Sequence, residues 1–60
     1  MKHYLFECII GDNEGEEFLV GANDLREAYE IAEDNFGTGC VNYICIVSEE
    51  EAEASGLDEY

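Results

Sequence analysis

The side chains able to do covalent chemistry in this sequence are few: Cys8, Cys40, Cys45, Ser48, Ser55 and a single histidine, His3. Nucleophilic catalysis needs a base held beside the nucleophile, and no local motif pairs His3 with any of them. An enzyme also needs a concave pocket, and sixty residues leave little interior for one. No catalytic residue is assigned.

Metal chemistry has two candidate sources. Asp12, Glu14, Glu16 and Glu17 crowd one turn, which suggests calcium, magnesium or a small metal-dependent nuclease or hydrolase. The turn lacks the Asp-x-Asp-x-Asp-Gly order and the distant bidentate glutamate of an EF-hand loop. Basic residues that would hold substrate phosphates are also missing. Cys40 and Cys45 are separated by four residues rather than the two of common zinc knuckles, and His3 is remote in sequence. The reading is a solvated hairpin tip, Cys8 and Cys45 as small buried apolar residues, Cys40 as a loop thiol, and neither metal nor cofactor.

What remains is charge. Sixteen Asp and Glu stand against Lys2 and Arg26, a formal net of −14. Such a balance accompanies disorder in many chains, yet 47% of this one is hydrophobic, with four tyrosines and three phenylalanines to build a core. The chain should fold against its own repulsion, and salt should help it. Direct binding to DNA or RNA is excluded, because affinity for a phosphate backbone comes largely from Lys and Arg.

The converse is an expectation with a number behind it. Duplex DNA carries one charge per roughly 1.7 Å, so a charge of this size matches about 24 Å of duplex. Sixty residues make a globule roughly 27 Å across. Helical acids three or four apart sit about 5–6 Å from each other at Cβ, comparable with phosphate spacing. Glu27, Glu30, Glu33 and Asp34, continued by Asp12, Glu14 and Glu16 and by Glu49, Glu50, Glu51 and Glu53, would offer a basic nucleic-acid-binding protein a decoy. The bland alternative is that an acidic surface keeps a small protein soluble and mimics nothing.

The elements that position these acids follow from periodicity. Lys2–Ile10 alternates as a strand, with Tyr4, Phe6, Cys8 and Ile10 on one face and His3, Leu5, Glu7 and Ile9 on the other. Gly11–Glu16 is a turn, and Glu17–Ala22 returns as a second strand with Phe18, Val20 and Ala22 opposite Leu19. Leu25, Ala28, Tyr29, Ile31, Ala32 and Phe36 form one helical stripe. Asp24 with Glu27 reads as its capping box, and Gly37 as its left-handed cap. Val41–Val47 is a third strand, with Val41, Tyr43, Cys45 and Val47 opposite Asn42, Ile44 and Ile46. Ser48 and Glu51 cap a short helix that Gly56 closes, and its first-turn glutamates suit the helix dipole.

These elements predict one α+β domain over residues 1–60: a three-stranded antiparallel sheet in order 2-1-3, one long helix on one face and a C-terminal helical turn. One helix covers one face, which would leave Leu5, Ile9, Leu19, Ile44 and Ile46 as an apolar patch on the other. Either the C-terminal turn folds over the patch or another copy of the chain does, and homodimerisation through this face or an edge strand is the favoured expectation.

Three functions are open on the sequence: an acidic inhibitor of a basic nucleic-acid-binding protein or nuclease, a homo-oligomeric assembly module, and a small metal-dependent nuclease. For the first there is an analogy of charge and size, not a family resemblance, with small acidic proteins that phages and mobile elements make against restriction and CRISPR nucleases. With no signal peptide, no apolar span and an odd cysteine count, the expected setting is cytoplasmic, without membrane contact.

Overall fold

Alternation drives the first strand of the computed structural model, which describes residues 1–60. β1 (Lys2–Cys8) buries Tyr4, Phe6 and Cys8 on one face. It ends two residues earlier than the alternation suggests, because the hairpin closes at Cys8. The Cys8 N–H donates to the Glu16 carbonyl and the Gly15 N–H to the Cys8 carbonyl. Ile9 and Ile10 therefore lie in the connection and stay exposed. Gly15, at φ +89°, takes a backbone conformation that side chains disfavour, which lets the chain re-enter as β2 (Glu17–Ala22).

α1 (Leu25–Phe36) starts where the Asp24 carboxylate accepts the Glu27 N–H at 2.8 Å. The Glu27 carboxylate accepts the Asn23 N–H at 2.9 Å, one residue earlier than a strict capping box. Gly37 ends the helix at φ +106°, ψ 146°, open to glycine but outside the left-handed helical region expected of it. Ala28 and Ala32 lie fully buried against the sheet, with Tyr29, Ile31 and Phe36 packed around them. Small residues at the contact bring α1 close, and the aromatics fill the flanks.

Every aromatic in the chain joins one network across this layer. Phe6 meets Phe18, Tyr29 and Tyr43 at ring centroid distances of 5.7, 5.0 and 5.8 Å. Phe18 stacks on Phe36 at 4.2 Å, Tyr60 stands edge-on to both, and Tyr4 meets Tyr43. Each such pair adds about 0.5–1.5 kcal/mol beyond area burial, which matters in a domain this small.

β3 (Val41–Val47) pairs antiparallel with β1, as β2 does on the other side, so the spatial order is β2-β1-β3 and the fold is the expected small α+β type. β3 corrects one expectation. Leu5 lies opposite Cys45 and Phe6 opposite Tyr43, so Ile44 is an extra residue, a β-bulge. Beyond the bulge the faces exchange. Val41 and Tyr43 share the core face with Phe6 and Cys8, whereas Cys45 and Val47 share the far face with Leu5 and His3. Ile46 falls opposite Tyr4, on the α1 side. The Tyr29 hydroxyl accepts the Tyr43 N–H at 3.3 Å beside this irregularity.

α2 (Glu49–Ser55) follows with a complete Ser48–Glu51 capping box and a left-handed Gly56 cap, both as the sequence predicts. Its buried residue, Ala52, faces the sheet surface opposite α1, and a shallow depression there is lined by His3, Leu19, Ala52 and Leu57 among others. Past Gly56 the chain runs beside β2 as a parallel bridge from Glu59 to Leu19. The Leu19 N–H donates to the Asp58 carbonyl, the Tyr60 N–H to the Leu19 carbonyl, and the Gly21 N–H to the Tyr60 carbonyl, at 2.8–3.0 Å. His3 Nδ1 and a Glu59 carboxylate oxygen pair across the same segment.

The apolar patch proposed for self-association is thus dismantled. Leu19 is 2% exposed beneath the C-terminal segment, and Leu5 is half-buried. Ile9 lies beyond the strand, Ile44 sits in the bulge and Ile46 is turned to the α1 side, so the five residues share no face. Ala52 and Leu57 suffice as cover because the bulge and the early hairpin closure have already removed three members of the patch.

Candidate functional site

All sixteen acidic residues reach solvent, and no charged or polar residue is buried. They divide by what they do within the fold. Asp24, Glu27 and Glu51 accept backbone N–H groups at helix starts, and Glu33 accepts the Gly39 N–H at 3.4 Å. Glu7 accepts from the Asn42 amide, Glu30 pairs with Arg26 at 3.6 Å, and Glu59 pairs with His3. Lys2 makes no ion pair. Asp12, Glu14, Glu16, Glu17, Asp34, Glu49, Glu50, Glu53 and Asp58 engage no side chain or backbone group through their carboxylates.

The expected continuous row of acids is not formed. α1, with Glu27, Glu30, Glu33 and Asp34, lies on one side of the sheet. α2, with Glu49, Glu50, Glu51 and Glu53, lies on the other. Asp12, Glu14 and Glu16 occupy the hairpin tip. Charge therefore encloses the molecule on both faces and at one end. The row along α1 is further occupied by local work, since Glu27 and Glu33 are half-buried on backbone N–H groups and Glu30 has a cation.

One stretch of the chain is free of charged residues. From Asn35 to Ser48 the chain contains no Asp, Glu, Lys or Arg, and this stretch includes all of β3. β3 is also the sheet edge with nothing beyond it, because the C-terminal segment occupies the outer side of β2. No sequence signal beyond the charge gap itself marks this edge, since the cover on β2 is what makes it unique.

Extents of 30 × 22 × 15 Å give the charge a scale. A duplex of the same length carries about 18 charges, so the density along the long axis approaches that of DNA. The surface is otherwise shallow, and its other depression is lined by Met1, Lys2, His3, Ile46, Val47 and Glu49. No three His, Cys, Asp or Glu side chains, those of the turn included, converge closely enough to hold a metal ion. All three cysteines are free thiols. Cys8 is buried as expected, and its thiol pKa is raised by that burial and then by the nearby Glu16 and Cys40. Cys45, expected inside, is exposed because the bulge turns it away from the core. No helix is long and apolar enough to cross a membrane.

Comparison with protein-family models, with curated proteins and with solved structures gives no match.

Proposed function

We propose that this chain is a non-enzymatic binding protein whose uncommitted carboxylates engage a basic protein surface of the kind that binds nucleic acid. The observation that carries the reading is the set of carboxylates the fold does not use: at the hairpin tip, along α2 and at Asp34 they face solvent without a cation. Repulsion among them costs stability, and within the chain only the α2 dipole, at Glu49 and Glu50, offsets part of it. A basic partner would recover that cost and gain counterion release, as it does on a polynucleotide.

On this reading the protein occupies a polynucleotide site and inhibits its owner, which is how acidic anti-restriction and anti-CRISPR proteins of phages would compare with it in charge and size. Acids on two faces and a tip suit a cleft that closes around the molecule better than a flat surface. The test is capture of partners by the tagged protein from nuclease-treated lysate. A basic nucleic-acid-binding protein should be retained at low salt and displaced by added DNA or RNA. Retention of such a protein that saturating polynucleotide fails to displace would refute mimicry.

Self-association is a second reading, favoured by the uncharged, unpaired β3 edge. It does not compete with the first, because β3 contains none of the carboxylates on which the first depends.

A further inference from the structure

The buried core is assembled without any residue after β3. Its nine members lie in β1, β2, α1 and β3, and Tyr29, Ile31, Phe36 and Tyr43 pack around them. Leu19 is buried outside this cluster, on the other face of the sheet, beside Ala52 and Leu57. Leu57–Tyr60 reaches β2 through Gly56, whose φ of +71° turns the chain out of α2. Three backbone hydrogen bonds hold the segment, all to Leu19 and Gly21. The Ser55 hydroxyl accepts the Leu57 N–H, Glu59 pairs with His3, and the Tyr60 ring stands edge-on to Phe18 and Phe36. Leu57 is half-buried, and Asp58, Glu59 and Tyr60 are exposed.

We propose that Leu57–Tyr60 is a strap that opens and closes as a unit while the core stays folded, and that its closed form masks the β2 edge and the Leu19 face. Opening breaks only the contacts just named. The core cluster, both antiparallel ladders and the packing of α1 on the sheet survive it. A short ladder, exposed side chains and no share in the core place the segment at the low end of local stability. Glu59 also shares its depression with Glu49 and Glu53, so closure brings like charges together and lowers that stability further.

Closed, the strap satisfies the outward N–H groups of Leu19 and Gly21 and roofs Leu19, so one short segment controls both an edge and a face of the sheet. Gly56 is the hinge. No atom lies within 4 Å of where a Cβ would stand on it, and glycine leaves the left-handed region at little cost. The strap does not rest on the acidic-partner reading.

Native-state hydrogen exchange reads strap and sheet from alternate residues of one strand. The Leu19 and Gly21 N–H groups donate to the strap, whereas antiparallel pairing turns those of Phe18 and Val20 toward β1. Corrected for the rate in an unstructured chain, Leu19 and Gly21 should exchange at least about tenfold faster than Phe18 and Val20. Their rates should respond little to low urea, while Val20 follows global unfolding. Glu59→Gln weakens the pair with His3 and should speed exchange at Leu19 and Gly21 about two- to fivefold. Ile31→Val trims a residue packed on the core and should speed Val20 about two- to tenfold, leaving Leu19 and Gly21 unchanged because their opening keeps the core intact. Equal protection at all four amides, or a response to Ile31→Val at Leu19 and Gly21 as large as at Val20, would overturn the proposal, since the segment would then be a fixed fourth strand that leaves only when the whole domain unfolds.

Discussion

Leu19→Ala distinguishes a covered second sheet face from an open one. Leu19 is 2% exposed, roofed by Ala52, Leu57 and the C-terminal segment that hydrogen-bonds to its own backbone. Truncating a leucine so enclosed removes its transfer free energy and leaves a cavity, at a cost of about 2–5 kcal/mol. Total stability at this size is about 3–9 kcal/mol, so the variant should be close to unfolding. The equivalent change at Ile46, 51% exposed, should cost about 1 kcal/mol or less. Thermal unfolding by circular dichroism at low micromolar concentration and moderate salt reads the difference. One kcal/mol shifts the midpoint of a domain this small by about 4–8 °C, so Leu19→Ala should lower it by about 10 °C or more. Equal, small shifts for the two variants would mean that the C-terminal segment does not cover the face, and the reasoning would fail.

Other consequences are quicker to state. Tyr29→Phe removes the hydroxyl that accepts the Tyr43 N–H beside the bulge and should cost about 1 kcal/mol in chemical denaturation, whereas a neutral result would show that water replaces it. Cys8 and Cys45 should differ in reaction with an aromatic disulfide reagent, Cys45 reacting at once and Cys8 only on opening of the fold. Burial raises the Cys8 pKa, so the unfolded thiol ionises first, near about 8.5, while the folded one keeps its proton. Its contribution is therefore complete below that pH and is lost as pH rises through the folded value. A loss that persists unchanged in Cys8→Ala would have another source. Raising sodium chloride from low to moderate concentration should raise the melting midpoint, because repulsion in a chain of −14 is screened, and a fall would show that attractive ion pairs dominate.

Most of the element order was legible because each element announces itself by a different period. Tyr4, Phe6 and Cys8 alternate, Ala28 and Ala32 fall one helical turn apart, and Asp24, Ser48 and Gly56 mark helix ends. β3 resisted because VNYICIV is apolar in both phases. With only Asn42, at one end, to pin a face, a bulge at Ile44 costs little in patterning. The pairing of Asp58–Tyr60 with β2 had no periodic signal in so short a segment, yet it decides which edge of the sheet stays open. The capping roles of Asp24, Glu27 and Glu51 follow from spacing. The engagement of Glu33 with Gly39 and of Glu59 with His3 depends on tertiary placement, so the division of the acids into used and unused was hidden in the sequence.

That division allows the most direct test of the proposed function. Replacing Asp12, Glu14, Glu16, Asp34 and Glu53 by their amides removes charge that the fold does not use, and the variant should melt at or above the temperature of the parent chain. Capture from nuclease-treated lysate, compared between parent and variant, is the measurement. The account predicts that the parent retains a basic nucleic-acid-binding protein and the folded variant does not. Equal retention by both would contradict it, because the carboxylates would then be a solubility device and not a binding surface.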